Sequence, residues 1–302
     1  MGAMRFVVTG ANGLLGSRLC SQLAERGHDV VALGRGPRRA EGPGAWVSVE
    51  LTDRAAVERA IAEAAPQVIL HPAAMTNVDG CERDPRGAWA ANVEATANVA
   101  RAAGDLSAHL VAVSTDYVFD GAAGPYAEDD VPNPLGVYAR TKLAAEYAAL
   151  TLAPGATVAR TAVVYGWPMA ANANFGAWLA MTLSEGREVQ LFGDQWVSPS
   201  LADNVAAMLV ELGERRLGGV WHTAGAQVVN RVTFGRRLCE IVGFDPSLVI
   251  ESTLSAARLA SPRPARSGLL VEKAMAMLEA KPLSLEAQLL QFLAQWRQRQ
   301  AA

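Results

Sequence analysis

The chain has 302 residues, with 27 Lys and Arg against 30 Asp and Glu, for a formal net charge of −3. Its 51% apolar and 19% charged residues supply a large core and exclude intrinsic disorder, and with no basic block there is no electrostatic footprint for nucleic acid. Cys20, Cys81 and Cys239 lie far apart without C-x-x-C spacing, so neither a disulfide framework nor a zinc site is expected. Met1-Gly2-Ala3-Met4 reads as an expression remnant ahead of a start at Met4, and no charged–apolar–cleavage leader follows. No stretch approaches the ~18 unbroken apolar residues of a membrane helix, so a soluble, cytoplasmic protein is expected.

Short β-branched runs at 5–9, 29–33, 67–70, 109–114 and 157–161 alternate with segments of helical length at 13–26, 54–65, 85–103 and 134–152. Apolar, non-alternating strands separated by helices predict an α/β fold, a doubly wound parallel sheet covered on both faces. Such a sheet binds its ligand at the carboxyl ends of the strands. After residue 165 the rhythm loosens, with helices near 175–184, 201–212, 233–242 and 284–297. Residues 4–165 are expected to form the dinucleotide-binding domain and 166–302 mainly a discontinuous, substrate-covering lobe. Strands at 189–192 and 220–223 are expected to return to the main sheet. Two prolines within 259–267 predict an ordered loop or strap.

The run T-G-A-N-G-L-L-G at 9–16 joins the first strand to the first helix. There Gly10 permits the tight turn, Gly13 lets a pyrophosphate approach, and Gly16 allows close helix–strand packing, with Asn12 and Leu14 beside them. The helix N-terminus adds free N–H groups and a positive dipole end. Behind the second strand stand Arg35, Arg38 and Arg39 and no carboxylate, which suits the 2′-phosphate of NADPH, with NADH as the alternative cofactor. Glu50 and Leu51 close the third strand, where an adenine would lie.

Tyr138 and Lys142 are four residues apart, hence on one face of a helix. With five tyrosines and three lysines in the chain, this spacing arises by chance only about 0.05 times. A neighbouring ammonium is expected to lower the phenol's pKa and make its proton transferable. Thr115, at the end of a strand, would donate with Tyr138 to one carbonyl oxygen. Asn92, a poor helix former in mid-helix, is expected to bind backbone or a relay water. His28 reads as a surface residue, His71 as packing, and His109 and His222 as strand-edge residues without partners. Trp89, Trp178 and Trp296 read as core or interface, Trp196 as nearer a substrate, and no catalytic metal is expected.

These motifs resemble the extended short-chain dehydrogenases/reductases and, within them, the dTDP-4-dehydrorhamnose reductases. The resemblance rests on H-P-A-A-M-T-N-V-D-G-C-E at 71–82, S-T-D-Y-V-F-D-G at 114–121, P-Y-A-E-D-D at 125–130, P-N-P-L-G-V-Y-A-R-T-K-L at 132–143, N-F at 174–175, D-Q-W-V-S-P-S at 194–200 and R-P-A-R-S-G-L at 263–269. It implies NADPH-dependent reduction of the C4 ketone of a nucleotide-linked 6-deoxy sugar. Tyr138 would be the general acid, Lys142 would lower its pKa and hold the nicotinamide ribose, and Thr115 would orient the carbonyl. Ala73 and Ala74 would flank the cofactor, with Thr76 between cofactor and substrate. Tyr117, Asn174, Gln195 and Arg263 would line the substrate site, Arg263 as the cation for the pyrophosphate. The resemblance also allows a homodimer.

Val163 stands where these reductases commonly carry tryptophan, Arg266 where they carry asparagine and Ala139 where they carry glycine. The 167–173 loop is longer than usual, so that Trp167 could supply the missing indole. These departures bear on the sugar rather than on the redox chemistry. The alternatives are a nucleotide-sugar epimerase, another carbonyl reductase, or a non-catalytic NADP-binding regulatory subunit like that of methionine adenosyltransferase.

Overall fold

The computed structural model describes residues 2–39, 41–167 and 174–301, the last three by backbone alone. The chain opens with β1 (Arg5–Val8), α1 (Leu14–Glu25), β2 (Asp29–Gly34), β3 (Ala45–Ser48), α2 (Arg54–Ala64) and β4 (Val68–His71). Next come α3 (Val78–Arg83), α4 (Pro85–Trp89), a π-helical turn (Ala90–Glu94), α5 (Ala95–Asp105), β5 (His109–Thr115), α6 (Val137–Leu152) and β6 (Thr157–Thr161). The second half holds β7 (Val164–Tyr165), α7 (Phe175–Ser184), β8 (Val189–Phe192), β9 (Trp196–Val197), β10 (Ser200–Leu201), α8 (Ala202–Glu214) and β11 (Gly219–His222). It closes with β12 (Val229–Asn230), α9 (Arg231–Val242), β13 (Val249–Ser252), α10 (Glu272–Met277) and α11 (Leu285–Ala301).

Seven parallel strands form the central sheet in the order β11-β6-β5-β4-β1-β2-β3. Successive strand residues serve opposite faces. Phe6, Val8, Val68 and Leu70 meet Leu19, Leu23, Val205 and Leu209 from α1 and α8. Val7, Ile69 and Leu110 meet Val57, Ile61, Val99 and Ala149 from α2, α5 and α6. Both faces are therefore dry, which is why these strands read as continuous apolar runs. The order reverses between β1 and β4, and the crevice at their carboxyl ends is the place for a ligand.

Three expectations need correction. Of the two late strands, β11 joins the sheet beside β6, but β8 pairs in parallel with β13 in a separate two-stranded sheet. The helix expected at 85–103 is interrupted by the π-helical turn that contains Asn92. The helix expected from residue 134 opens at Val137, whose N–H donates to Glu82 Oε2 at 3.0 Å, behind an extended Gly136. Residues 168–173 of the long loop lie outside the described residues. A separate core of Tyr165, Leu179, Phe234, Leu289 and Phe292 holds the later helices together. Among the described residues no helix is long and apolar enough to cross a membrane.

Candidate active site

A cavity of about 930 Å³ opens at the carboxyl ends of the central strands and reaches toward α7 and α9. At its floor, Gly10 takes φ +59°, a left-handed conformation that favours glycine, and a Cβ there would stand 3.0 Å from Ala73 Cα. A Cβ on Gly16 would lie 2.3 Å from Gly10 O, so the turn closes onto α1 only without a side chain. Gly13 caps α1 with no side-chain hydrogen bond and no acidic residue follows in the first turn, leaving the helix N–H groups to an anion. Gly10, Gly13, Leu14, Gly16, Ala73, Ala74 and Thr76 all line the cavity.

Asn12 also lines it, but its amide joins two loops: Nδ2 donates to Pro37 O at 3.2 Å, and Oδ1 accepts from Arg39 N at 2.9 Å. Arg35, Glu50 and Leu51 stand at the same end, with Arg35 3.9 Å from Glu50. Arg38 is not among the lining residues. Its guanidinium donates to Pro43 O and Gly44 O at 2.7 and 3.0 Å and lies over Trp46, closing its own loop, whereas Arg39 faces the cavity.

Thr115 ends β5, and its hydroxyl is hydrogen-bonded to Asp116 Oδ1 at 3.1 Å and to Tyr117 N–H at 3.2 Å. It also reaches the Tyr138 phenol. Tyr138 and Lys142 leave the same face of α6 and both line the cavity. Burial holds the Tyr138 phenol above its ordinary range; the Thr115 hydrogen bond opposes this, while the Asp116 charge adds to it. The expected lowering by Lys142 is not what this geometry produces. The ammonium turns to Val113 O at 2.7 Å, and burial pushes Lys142 down to about 8 against the charge of Glu146. Tyr138 therefore keeps its proton.

Asn92 is fully buried: Oδ1 accepts from Met75 N at 2.7 Å, and Nδ2 donates to Thr141 Oγ1 at 3.0 Å. It pins the loop after β4 to α6, lies behind the cavity wall, and does not line it. Toward the later helices, Tyr117 and Asn174 line the cavity, Asn174 as the N-cap of α7. Gln195 is buried outside the lining, with Nε2 3.3 Å from the Tyr117 hydroxyl. Arg263 is turned away to Asp79, 2.9 Å from its carboxylate, and is absent from the lining.

Two side chains in the cavity wall escape a reading of the sequence. Asp116 is buried and bound to Ser267, and burial pushes its carboxyl up to about 6 while Ser267, Thr115 and Arg231 pull it down. Arg231 opens α9 with its guanidinium 4.4 Å from the Phe175 ring centre. A signal for Asp116 existed, because it sits inside S-T-D-Y; for Arg231 the only local cue was Asn230, the helix cap before it.

Val163 lines the cavity at φ +43°, a strained conformation for a β-branched residue. Trp167 does not fill the indole's place; it stacks on Phe292, 4.9 Å between ring centres, within the later core. Trp196 is partly exposed and outside the lining, and Trp89 and Trp178 stand on the surface. His28 is not a surface residue: its side chain is 4% exposed, with Nε2 2.8 Å from Glu214. His109 and His222 are also partnered, by Thr157 Oγ1 and Leu270 O. His71 is locked between Thr9 and Thr96, and burial lowers it to about 3. The three cysteines are free and buried. Among the described residues no cluster of three or more His, Cys, Asp or Glu could hold a metal.

The fold and this cavity define an oxidoreductase of the extended short-chain dehydrogenase class. The chain belongs to the RmlD substrate binding domain family, whose profile matches residues 4–298. It is 37% identical over 285 residues to a probable low-salt glycan biosynthesis reductase of Haloferax volcanii, covering 92% of this chain and 94% of the relative. It is 38% identical over 269 residues to a dTDP-4-dehydrorhamnose reductase of Mycobacterium tuberculosis, covering 87% and 83%. A crystal structure of dTDP-4-dehydrorhamnose reductase from Bacillus anthracis in complex with NADP superposes with a TM-score of 0.87 at 25% identity, over 97% of this chain and 99% of that one.

Proposed function

We propose that the protein reduces the C4 ketone of a nucleotide-linked 4-keto-6-deoxy sugar with NADPH, most simply dTDP-4-dehydrorhamnose to dTDP-rhamnose. The observation that carries the reading is the Tyr138 phenol against Thr115, in one cavity with the glycine turn after β1. The names of the relatives in the same family support it.

The glycine cradle and the uncapped N-terminus of α1 fit a pyrophosphate, and Arg35 and Arg39 fit a 2′-phosphate. When bound, NADPH supplies the hydride for the carbonyl carbon. Tyr138 gives its proton to the carbonyl oxygen as charge develops there, and Thr115, on turning its hydroxyl from Asp116, donates to the same oxygen. Lys142, anchored to Val113 O one turn further along α6, keeps a positive charge in the cavity below about pH 8. Asn92 holds the wall between Met75 and α6. Trp89 and Tyr147, exposed on the adjacent α4 and α6, support a homodimer, and three free thiols suit a cytoplasmic setting.

Product analysis with dTDP-4-keto-6-deoxy sugars tests the reading. Stoichiometric NADPH consumption is expected, with NADP⁺ released each turnover. Conversion without net NADPH consumption would indicate an epimerase, and NADPH binding with no turnover on any carbonyl a regulatory subunit.

A further inference from the structure

We infer that Arg231, rather than Arg263, takes the diphosphate of the sugar nucleotide, an inference that rests on the reductase reading above. Arg263 is already committed: it donates to Asp79 at 2.9 Å and to Ser261 O at 2.8 Å, and it stands outside the cavity lining. Arg231 lines the cavity and is held there by uncharged groups. Its Nε donates to Gln195 Oε1 at 3.1 Å, and its guanidinium lies 4.4 Å from the Phe175 ring centre.

Among the described residues no carboxylate forms an ion pair with Arg231, in contrast to Arg263. Asp116 acts on it only through space, its own oxygens being bound to Ser267 and Thr115. A desolvated cation without a paired anion is unfavourable until an anion arrives, and a planar guanidinium meets phosphate oxygens in a fork. Gln195 is then a positioning residue: its amide joins Tyr117 to Arg231 and fixes the direction of the fork. Arg231 is also the first residue of α9, whose N-terminal N–H groups reinforce the positive potential.

The position separates two phosphate-bearing ligands. Arg35 and Arg39 follow β2, whereas Arg231 is hydrogen-bonded to Tyr117 and stands near Asp116, both just past the end of β5. An anion at Arg231 therefore belongs to the sugar nucleotide and not to the dinucleotide.

The test is calorimetric titration of NADP⁺-loaded protein with dTDP and with inorganic pyrophosphate. Arg231→Gln is expected to weaken dTDP by about 30-fold or more, with NADP⁺ affinity changed less than about twofold. Arg231→Lys keeps the charge but not the fork and is expected to fall between the two. Where the Gln variant does not hold NADP⁺, the Lys variant decides alone: weakening of about fivefold or more supports the inference, and none overturns it. Unchanged dTDP affinity in Arg231→Gln, or a loss that instead follows Arg263→Gln, overturns the inference and leaves the reductase reading standing. Wild type that binds neither dTDP nor pyrophosphate brings down both.

Discussion

Lys142 Nζ donates to the main-chain carbonyl of Val113 at 2.7 Å, so the cation one turn from the Tyr138 phenol is anchored to the strand that carries Thr115. Burial brings its pKa to about 8. The ammonium is charged below that value and neutral above it. With Tyr138 held above the phenol range, the basic limb belongs to Lys142. In the free enzyme, kcat/KM is expected to fall roughly tenfold per pH unit above about pH 8. A profile flat to pH 10 would contradict this assignment.

One turn further along α6, Glu146 forms a two-pronged pair with Arg160 at 2.8 and 3.0 Å, with both side chains 4% exposed. Ser114 donates to the same carboxylate. Glu146→Leu strands a buried guanidinium and is expected to cost about 3–5 kcal/mol in urea denaturation. The double change Glu146→Leu with Arg160→Met is expected to recover a good part of that loss.

Gly16→Ala places a methyl 2.3 Å from Gly10 O and 2.9 Å from Ala11 Cα, both backbone atoms. Neither can swing aside as a side chain would. The turn must open, with an expected loss of about 1–3 kcal/mol of stability and weaker NADPH binding by fluorescence titration.

Asp116 is raised from 3.8 to about 6 by burial. Its folded pKa exceeds its unfolded one, so its stabilising contribution is full below about pH 4 and is lost as pH rises through 6. Wild type is therefore expected to lose on the order of 2–3 kcal/mol relative to Asp116→Asn between pH 4 and 7. Denaturant titrations of the pair at both pH values check the sign.

The central sheet was legible because strands buried on both faces are written as unbroken apolar runs, and the glycine turn because it sits directly between strand and helix. Strand β8 misled because four apolar-alternating residues do not encode which sheet they join. Its partner, β13, begins 57 residues after Phe192 in chain terms far removed from any local signal.

That Tyr138 and Lys142 share one face of α6 and enter the same cavity was legible from their four-residue spacing. Which arginine enters the cavity was not, since Arg263 meets Asp79 across 184 residues and Arg231 meets Gln195 across 36. Arg38 and Arg39 are neighbours in the chain, yet only the loop geometry sends one to Pro43 and the other to the cavity. Burial also reversed the direction expected for Tyr138, because proximity to a lysine says nothing about where the ammonium points.

The most direct measurement is NADPH oxidation, followed by its absorbance, with dTDP-4-keto-6-deoxy sugars, wild type against Tyr138→Phe, alongside NADPH affinity. Loss of kcat by about 10²–10⁴-fold with NADPH affinity retained is the predicted result. A Phe variant that turns over like wild type, or wild type that binds NADPH tightly and reduces none of these sugars, would contradict it.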